Sequence, residues 1–178
     1  MPKPLLLLVV PIVLTGCLDS VQPDDYTWQQ RQPIPGADQY DPPPAFCAAM
    51  RSTLEITDRD GQPASEFMQG ELINVRVLVR NNSTSPITLT NPDGCPSVKF
   101  QVVNADNEVV ASSNDGFACV QVLTPVEHAP GESTLHTWDW DQVMRNGEAA
   151  PLGDYTIYAD ERTECRFALS KSAPIRIR

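Results

Sequence analysis

The 178-residue sequence predicts an all-β fold, an antiparallel sandwich or barrel of about nine short strands. Three observations carry this. Ile73, Val75, Val77 and Val79 alternate over residues 70–81, the period of two that turns one face of a strand toward a core. Turn signals recur at close spacing from Asp60-Gly61 to Pro130-Gly131. No stretch sustains the 3.6-residue period of an amphipathic helix, and residues 142–145 are read as at most one helical turn.

In chain order, Leu54 and Ile56 mark a first strand in residues 51–58, closed by Asp60-Gly61. Residues 70–81 form the clearest strand, and residues 81–86 turn it. Ile87 and Leu89 make a short strand; Val98, Phe100 and Val102 make another. Asn104 to Asn107 read as a hairpin turn into Val109-Val110, and residues 117–123 as the next strand. Pro130-Gly131 then opens a tryptophan-bearing strand, a polar loop follows, and Gly153-Asp154-Tyr155 starts a further strand. Residues 165–169 and 175–177 complete the set. The 132 residues from 47 to 178 suffice for one core.

Residues 1–16 read as an export signal: Lys3, then the ten apolar residues 5–14, too few for a membrane span of about 20. Leu14-Thr15-Gly16-Cys17 resembles the lipobox of bacterial lipoproteins, in which the cysteine takes a thioether-linked diacylglycerol and becomes the new N-terminus. Two or more acyl chains hold a protein stably on a bilayer. Leu18 follows the cysteine and Asp19 stands one place later than the usual inner-membrane retention signal, so the expected location is the bacterial envelope, on the outer membrane facing the periplasm. Residues 17–46 then form the lipidated cysteine and a tether, with Pro23, Pro33, Pro35, Pro42, Pro43 and Pro44 favouring a semi-rigid spacer. Tyr26, Trp28 and Tyr40 punctuate it.

Lipidation of Cys17 leaves Cys47, Cys95, Cys119 and Cys165, an even number that predicts two disulfides in an exported domain. Three pairings are open. Cys95–Cys119 with Cys47–Cys165 is favoured, because the segments holding Cys95 and Cys119 flank a hairpin, and the second pair then joins the domain's two ends. A metal site is disfavoured, since no CxxC or CxxH spacing occurs.

The formal charge of −10 argues against nonspecific nucleic-acid binding, which needs clustered Lys and Arg. No GxSxG elbow, HExxH motif or Gly-rich phosphate loop is present, and the histidines are His128 and His136 alone. Alternation sends His136, Trp138 and Trp140 to one face and Asp139 to the other, which disfavours a His–Asp catalytic pair. Asp139, Asp141 and Glu148 are close in sequence without calcium-loop spacing. Asn81-Asn82-Ser83-Thr84 contains glycosylation-like triplets that better serve the turn. Neither an enzyme nor a cofactor is implied.

Several segments carry a resemblance. Val79-Arg80-Asn81, Pro86-Ile87-Thr88-Leu89, Phe100-Gln101-Val102 and Glu108-Val109 are similar to the first half of the BsuPI domain, named for an intracellular proteinase inhibitor. Pro130-Gly131-Glu132, Trp140-Asp141, Asn146-Gly147 and Pro151-Leu152-Gly153-Asp154-Tyr155 resemble its second half, with Trp140 rather than Trp138 as the matching tryptophan. The chain departs from the family at Asn104 and Asn107, where Asp and Gly are usual, and at Val110-Ala111, where a tryptophan is common. The resemblance implies an immunoglobulin-like sandwich in which Gly153 and Tyr155 form a tyrosine corner.

Two functions follow. One is a tethered, non-enzymatic module that binds a protein partner. The other is a proteinase inhibitor acting through an exposed loop, for which Asn91, Pro92, Asp93, Gly94, Cys95 and Pro96 are the candidate residues, because a disulfide-rigidified loop loses little entropy on binding.

Overall fold

The structure, a computed structural model, describes residues 43–178. The expected export signal, Cys17, Tyr26, Trp28, Tyr40 and nearly all of the expected tether lie outside the described residues. Among the described residues no helix is long and apolar enough to cross a membrane.

Ten strands build an immunoglobulin-like open sandwich: β1 Met50–Thr57, β2 Glu66–Phe67, β3 Ile73–Asn81, β4 Ile87–Asn91, β5 Val98–Asn104, β6 Val109–Ser112, β7 Thr124–His128, β8 Ser133–Trp140, β9 Gly153–Glu161 and β10 Lys171–Ile177. They form a three-stranded sheet in the order β1-β3-β8, a five-stranded sheet β2-β10-β9-β5-β6, and a two-stranded ribbon β4-β7. The ladders are antiparallel except β2–β10, where Arg176 pairs with Glu66 in parallel. A two-residue strand such as β2 carries too short a pattern to be read from sequence.

The core follows from alternation. In β3 the side chains of Ile73, Val75, Val77 and Val79 are all buried, at about 1.5–3 kcal/mol each. They share one cluster with Phe100 and Val102 of β5, Ile157 of β9 and Ile175 of β10. Trp138 of β8 crosses the sandwich to stack on Phe100, with centroids 6.1 Å apart. Trp140 is fully buried, meets Tyr155 edge-on at 5.9 Å, and donates from Nε1 to the Val143 carbonyl at 3.0 Å. The Tyr155 hydroxyl donates to the Pro151 carbonyl at 2.7 Å, closing the tyrosine corner ahead of β9. Gly153 opens that strand at φ 155°.

The structure joins Cys47 to Cys165 and Cys95 to Cys119, each pair with Cα atoms 5.2 Å apart. Cys47 sits in a 3₁₀ turn, Ala45–Ala49, just before β1, so its bridge ties the beginning of the domain to the segment after β9.

Three local expectations are corrected. Residues 117–123 are not a strand: their apolar residues mimic one, but the β4 partner of the following strand ends at Asn91, opposite Thr124. Residues 165–169 do not form a strand; Arg166–Leu169 is a single helical turn, α1, begun at Cys165 under its disulfide. Residues 142–145 are not helical, because Gln142 has φ 62° and Val143 bridges to Ala149. Gln142 is instead a buried clamp. Its Nε2 donates to the Met68 and Glu71 carbonyls at 2.9 and 2.8 Å, and its Oε1 accepts from the Gly70 N–H at 2.9 Å.

Candidate functional site

β4 ends at Asn91, and the next residues are folded against the domain rather than projected from it. Asn91, Asp93 and Cys95 are buried, while Pro92, Gly94 and Pro96 are exposed. Asn91 donates from Nδ2 to the Cys95 carbonyl. Asp93 receives both guanidinium nitrogens of Arg162, at the end of β9, and its Oδ1 also accepts the Cys95 N–H at 2.8 Å. The Arg162 hydrogen bond holds the Asp93 carboxyl below its ordinary 3.8 despite the opposing cost of burial. This short loop is therefore a rigid bracket fixed to the sandwich by charge-assisted bonds.

The bracket holds a second segment. Cys95 is bonded to Cys119, and the Gly94 N–H donates to the Val120 carbonyl at 2.8 Å. Gly94 permits this approach, since a Cβ there would lie 2.5 Å from a Val120 methyl. From Phe117 to β7 the chain runs without helix or ladder, tightened once where the Val122 N–H donates to the Val120 carbonyl at 3.0 Å. It presents Phe117 at 73%, Val120 at 67%, Val122 at 49% and Leu123 at 69% exposure. No charged residue occurs between Asp115 and Glu127. The sequence pattern here reads as a strand; the signal that separates it is that no neighbouring strand is long enough to pair with it.

The remaining candidates are architectural. Trp138, Trp140, Gly153 and Tyr155 build the core and the corner described above. His136 is half-buried and Asp139 exposed on opposite faces of β8. Asp141 accepts the Val143 N–H at 3.1 Å and Glu148 the Asn146 amide at 2.9 Å, so each serves its own turn. Asn81 is fully buried, donating to the Ser85 and His128 carbonyls at 2.9 Å, which leaves no free amide for modification. Among the described residues the one cluster of metal-ligating type is Asp93, Cys95 and Cys119, whose sulfurs are spent in the disulfide.

Beneath β7 lies a partly enclosed cavity of about 30 Å³, lined by His128, Thr134, His136, Glu161 and Thr163 among others. The Thr134 hydroxyl is 3.3 Å from His128 Nδ1. Glu161 is 3% exposed, its Oε1 has no protein partner, and burial pushes its carboxyl from 4.5 up to about 7. Burial, then the neighbouring His128, push His136 down from its ordinary 6.5. The cavity has room for about one water molecule.

A family model described as BsuPI, intracellular proteinase inhibitor, matches residues 62–164. The chain belongs to the BsuPI family. The BsuPI match contains the bracket, the exposed segment and both Cys95 and Cys119; Cys47 and Cys165 fall outside it. No curated protein matches the chain. Among solved structures, the CARDB domain of a Pyrococcus furiosus protein, in complex with di-metal ions, is similar at 15% identity and TM-score 0.40, over 72% of this chain and 89% of that one. The Pseudomonas fluorescens alkylpurine DNA glycosylase AlkC, bound to DNA with an abasic site analog, is similar at 13% identity and TM-score 0.43, over 73% of this chain and 30% of that one. A Listeria innocua β-glucosidase in complex with glucose is similar at 12% identity and TM-score 0.38, over 71% of this chain and 16% of that one. The BsuPI chain thus spans under a third of each of these two enzymes.

Proposed function

We propose that this BsuPI chain is a proteinase inhibitor that offers residues 117–123 to the active-site cleft of a protease. One observation carries the reading: an uncharged, largely apolar segment outside every sheet stands in solvent on a disulfide and a backbone bond to a bracket that is itself ion-paired to the sandwich. Such a segment has little conformational freedom left to lose, so contact energy goes into affinity rather than ordering. Residues 91–96, the loop favoured in the sequence, take the supporting role. The wider reading, a tethered module for some other protein partner, shares the same anchor and the same surface.

The inhibitor is further proposed to work at the bacterial envelope, lipidated at Cys17 and held off the membrane by the proline-rich tether, on the outer membrane facing the periplasm. The Leu14-Thr15-Gly16-Cys17 motif supports this. Titrating serine proteases with the full chain tests the activity: inhibition at micromolar protein or below is expected, and its absence across the panel would leave only the wider binding reading. Labelled palmitate should enter the protein and fail to enter a Cys17→Ala variant; label that persists in that variant contradicts lipidation there.

A further inference from the structure

Resting on the inhibitor reading, we infer that Leu123 is the residue that enters the protease's primary specificity pocket, and that this pocket is apolar. A side chain in that role must be exposed. Its carbonyl must be free to reach the oxyanion-hole donors. The residue two places earlier must have backbone groups free to pair, strand-like, with the cleft. The backbone on both sides must also be held, or binding is spent on ordering it.

These requirements sort the apolar side chains of the segment. Val120 fails, because its carbonyl already accepts the Gly94 N–H at 2.8 Å and the Val122 N–H at 3.0 Å, and Val122 fails with it, since the residue two places before it is that same Val120. Phe117 is the more exposed, but two places before it the Asp115 N–H is taken by the Ser112 carbonyl at 3.1 Å, and the Asp115 carboxylate is paired with Arg145. Phe117 is itself tied back into that turn by its own N–H, bonded to Asn114 at 3.1 Å. Leu123 meets every condition. It is 69% exposed. Among the described residues neither its own backbone nor that of Gln121 has a hydrogen-bond partner. It stands between two fixed points, the clamped Val120 carbonyl and Thr124, which is in register with buried Asn91. With no cation between residues 116 and 126, nothing in the segment can satisfy a pocket built around a buried carboxylate.

The test uses the full chain against subtilisin and chymotrypsin, whose pockets are apolar, and trypsin, whose pocket holds a carboxylate. Inhibition of the apolar-pocket enzymes should exceed that of trypsin at least tenfold. Leu123→Lys should lose roughly 100-fold or more against them and gain activity against trypsin, which a misfolded variant cannot do. Leu135→Lys, on the outer face of β8, should inhibit as the wild type does, and Phe117→Lys should gain nothing against trypsin. The assignment is overturned if Leu123→Lys leaves inhibition unchanged, or if Phe117→Lys is the variant that switches specificity. Wild-type preference for trypsin overturns the pocket class while the inhibitor reading stands. No inhibition of any protease overturns both.

Discussion

Glu161 places a carboxyl group with an unpartnered oxygen in the interior, beside two histidines. Its pKa is raised on folding from 4.5 to about 7. The native state therefore prefers the neutral acid. That contribution is complete below about pH 4.5 and is lost as pH rises through about 7, a change on the order of 3 kcal/mol. His136 works in the opposite sense: its depressed pKa contributes stability above 6.5 that is lost on acidification. Glu161→Gln removes only the first effect. The variant should be the more stable by thermal denaturation at about pH 8, with the difference shrinking toward pH 5; a difference independent of pH would show that Glu161 is not titrating in this range. Neither this acid nor the Gln142 clamp was legible in the sequence. Glu161 continues the alternation of β9 inward, and only the packing of residues from three separate sheets around it makes the position buried. Gln142 follows Trp140-Asp141 in what reads as a polar loop, while its three partners lie about seventy residues earlier in the chain.

The bracket and the exposed segment act as one element. The closed loop between Cys95 and Cys119 spans 24 residues, for which a crosslink contributes about 3 kcal/mol by chain entropy. The larger consequence is local. Without the bridge, the Gly94–Val120 hydrogen bond is the one left between bracket and segment among the described residues, an exposed bond of about 1 kcal/mol. Cys95→Ala with Cys119→Ala should therefore weaken protease inhibition by about 10- to 100-fold while the variant remains folded. Inhibition unchanged in the folded double variant would show that the segment does not need its staple. β3 was legible because one long strand of four β-branched residues states its own register, and β1 and β8 are read against it. The segment after Gly116 was misread for the complementary reason. Val120, Val122 and Thr124 carry the same period of two, yet strand formation is decided by a partner, and the partner stops at Asn91.

At the scale of the molecule, the sandwich separates duties. The valine face of β3, Trp138, Trp140 and Tyr155 close the core, and the cysteine bridge from 47 to 165 ties its ends. The residues that look most chemical in the sequence, the tryptophans, His136 and the neighbouring acids, are consumed by this architecture. The apolar side chains that face solvent include those of the segment leading into β7 and, elsewhere, Met68, Leu152, Phe167 and the paired Leu78 and Leu135 on the outer face of β3 and β8. Use of the segment can therefore be told apart from use of these other surfaces. Hydrogen exchange of the full chain, with and without an apolar-pocket serine protease such as subtilisin, reads them in one experiment. The account predicts that the protease slows exchange at Gln121, Leu123 and their neighbours and leaves the outer strands unchanged. Protection confined to the Leu78–Leu135 face, or no protection anywhere, would contradict it.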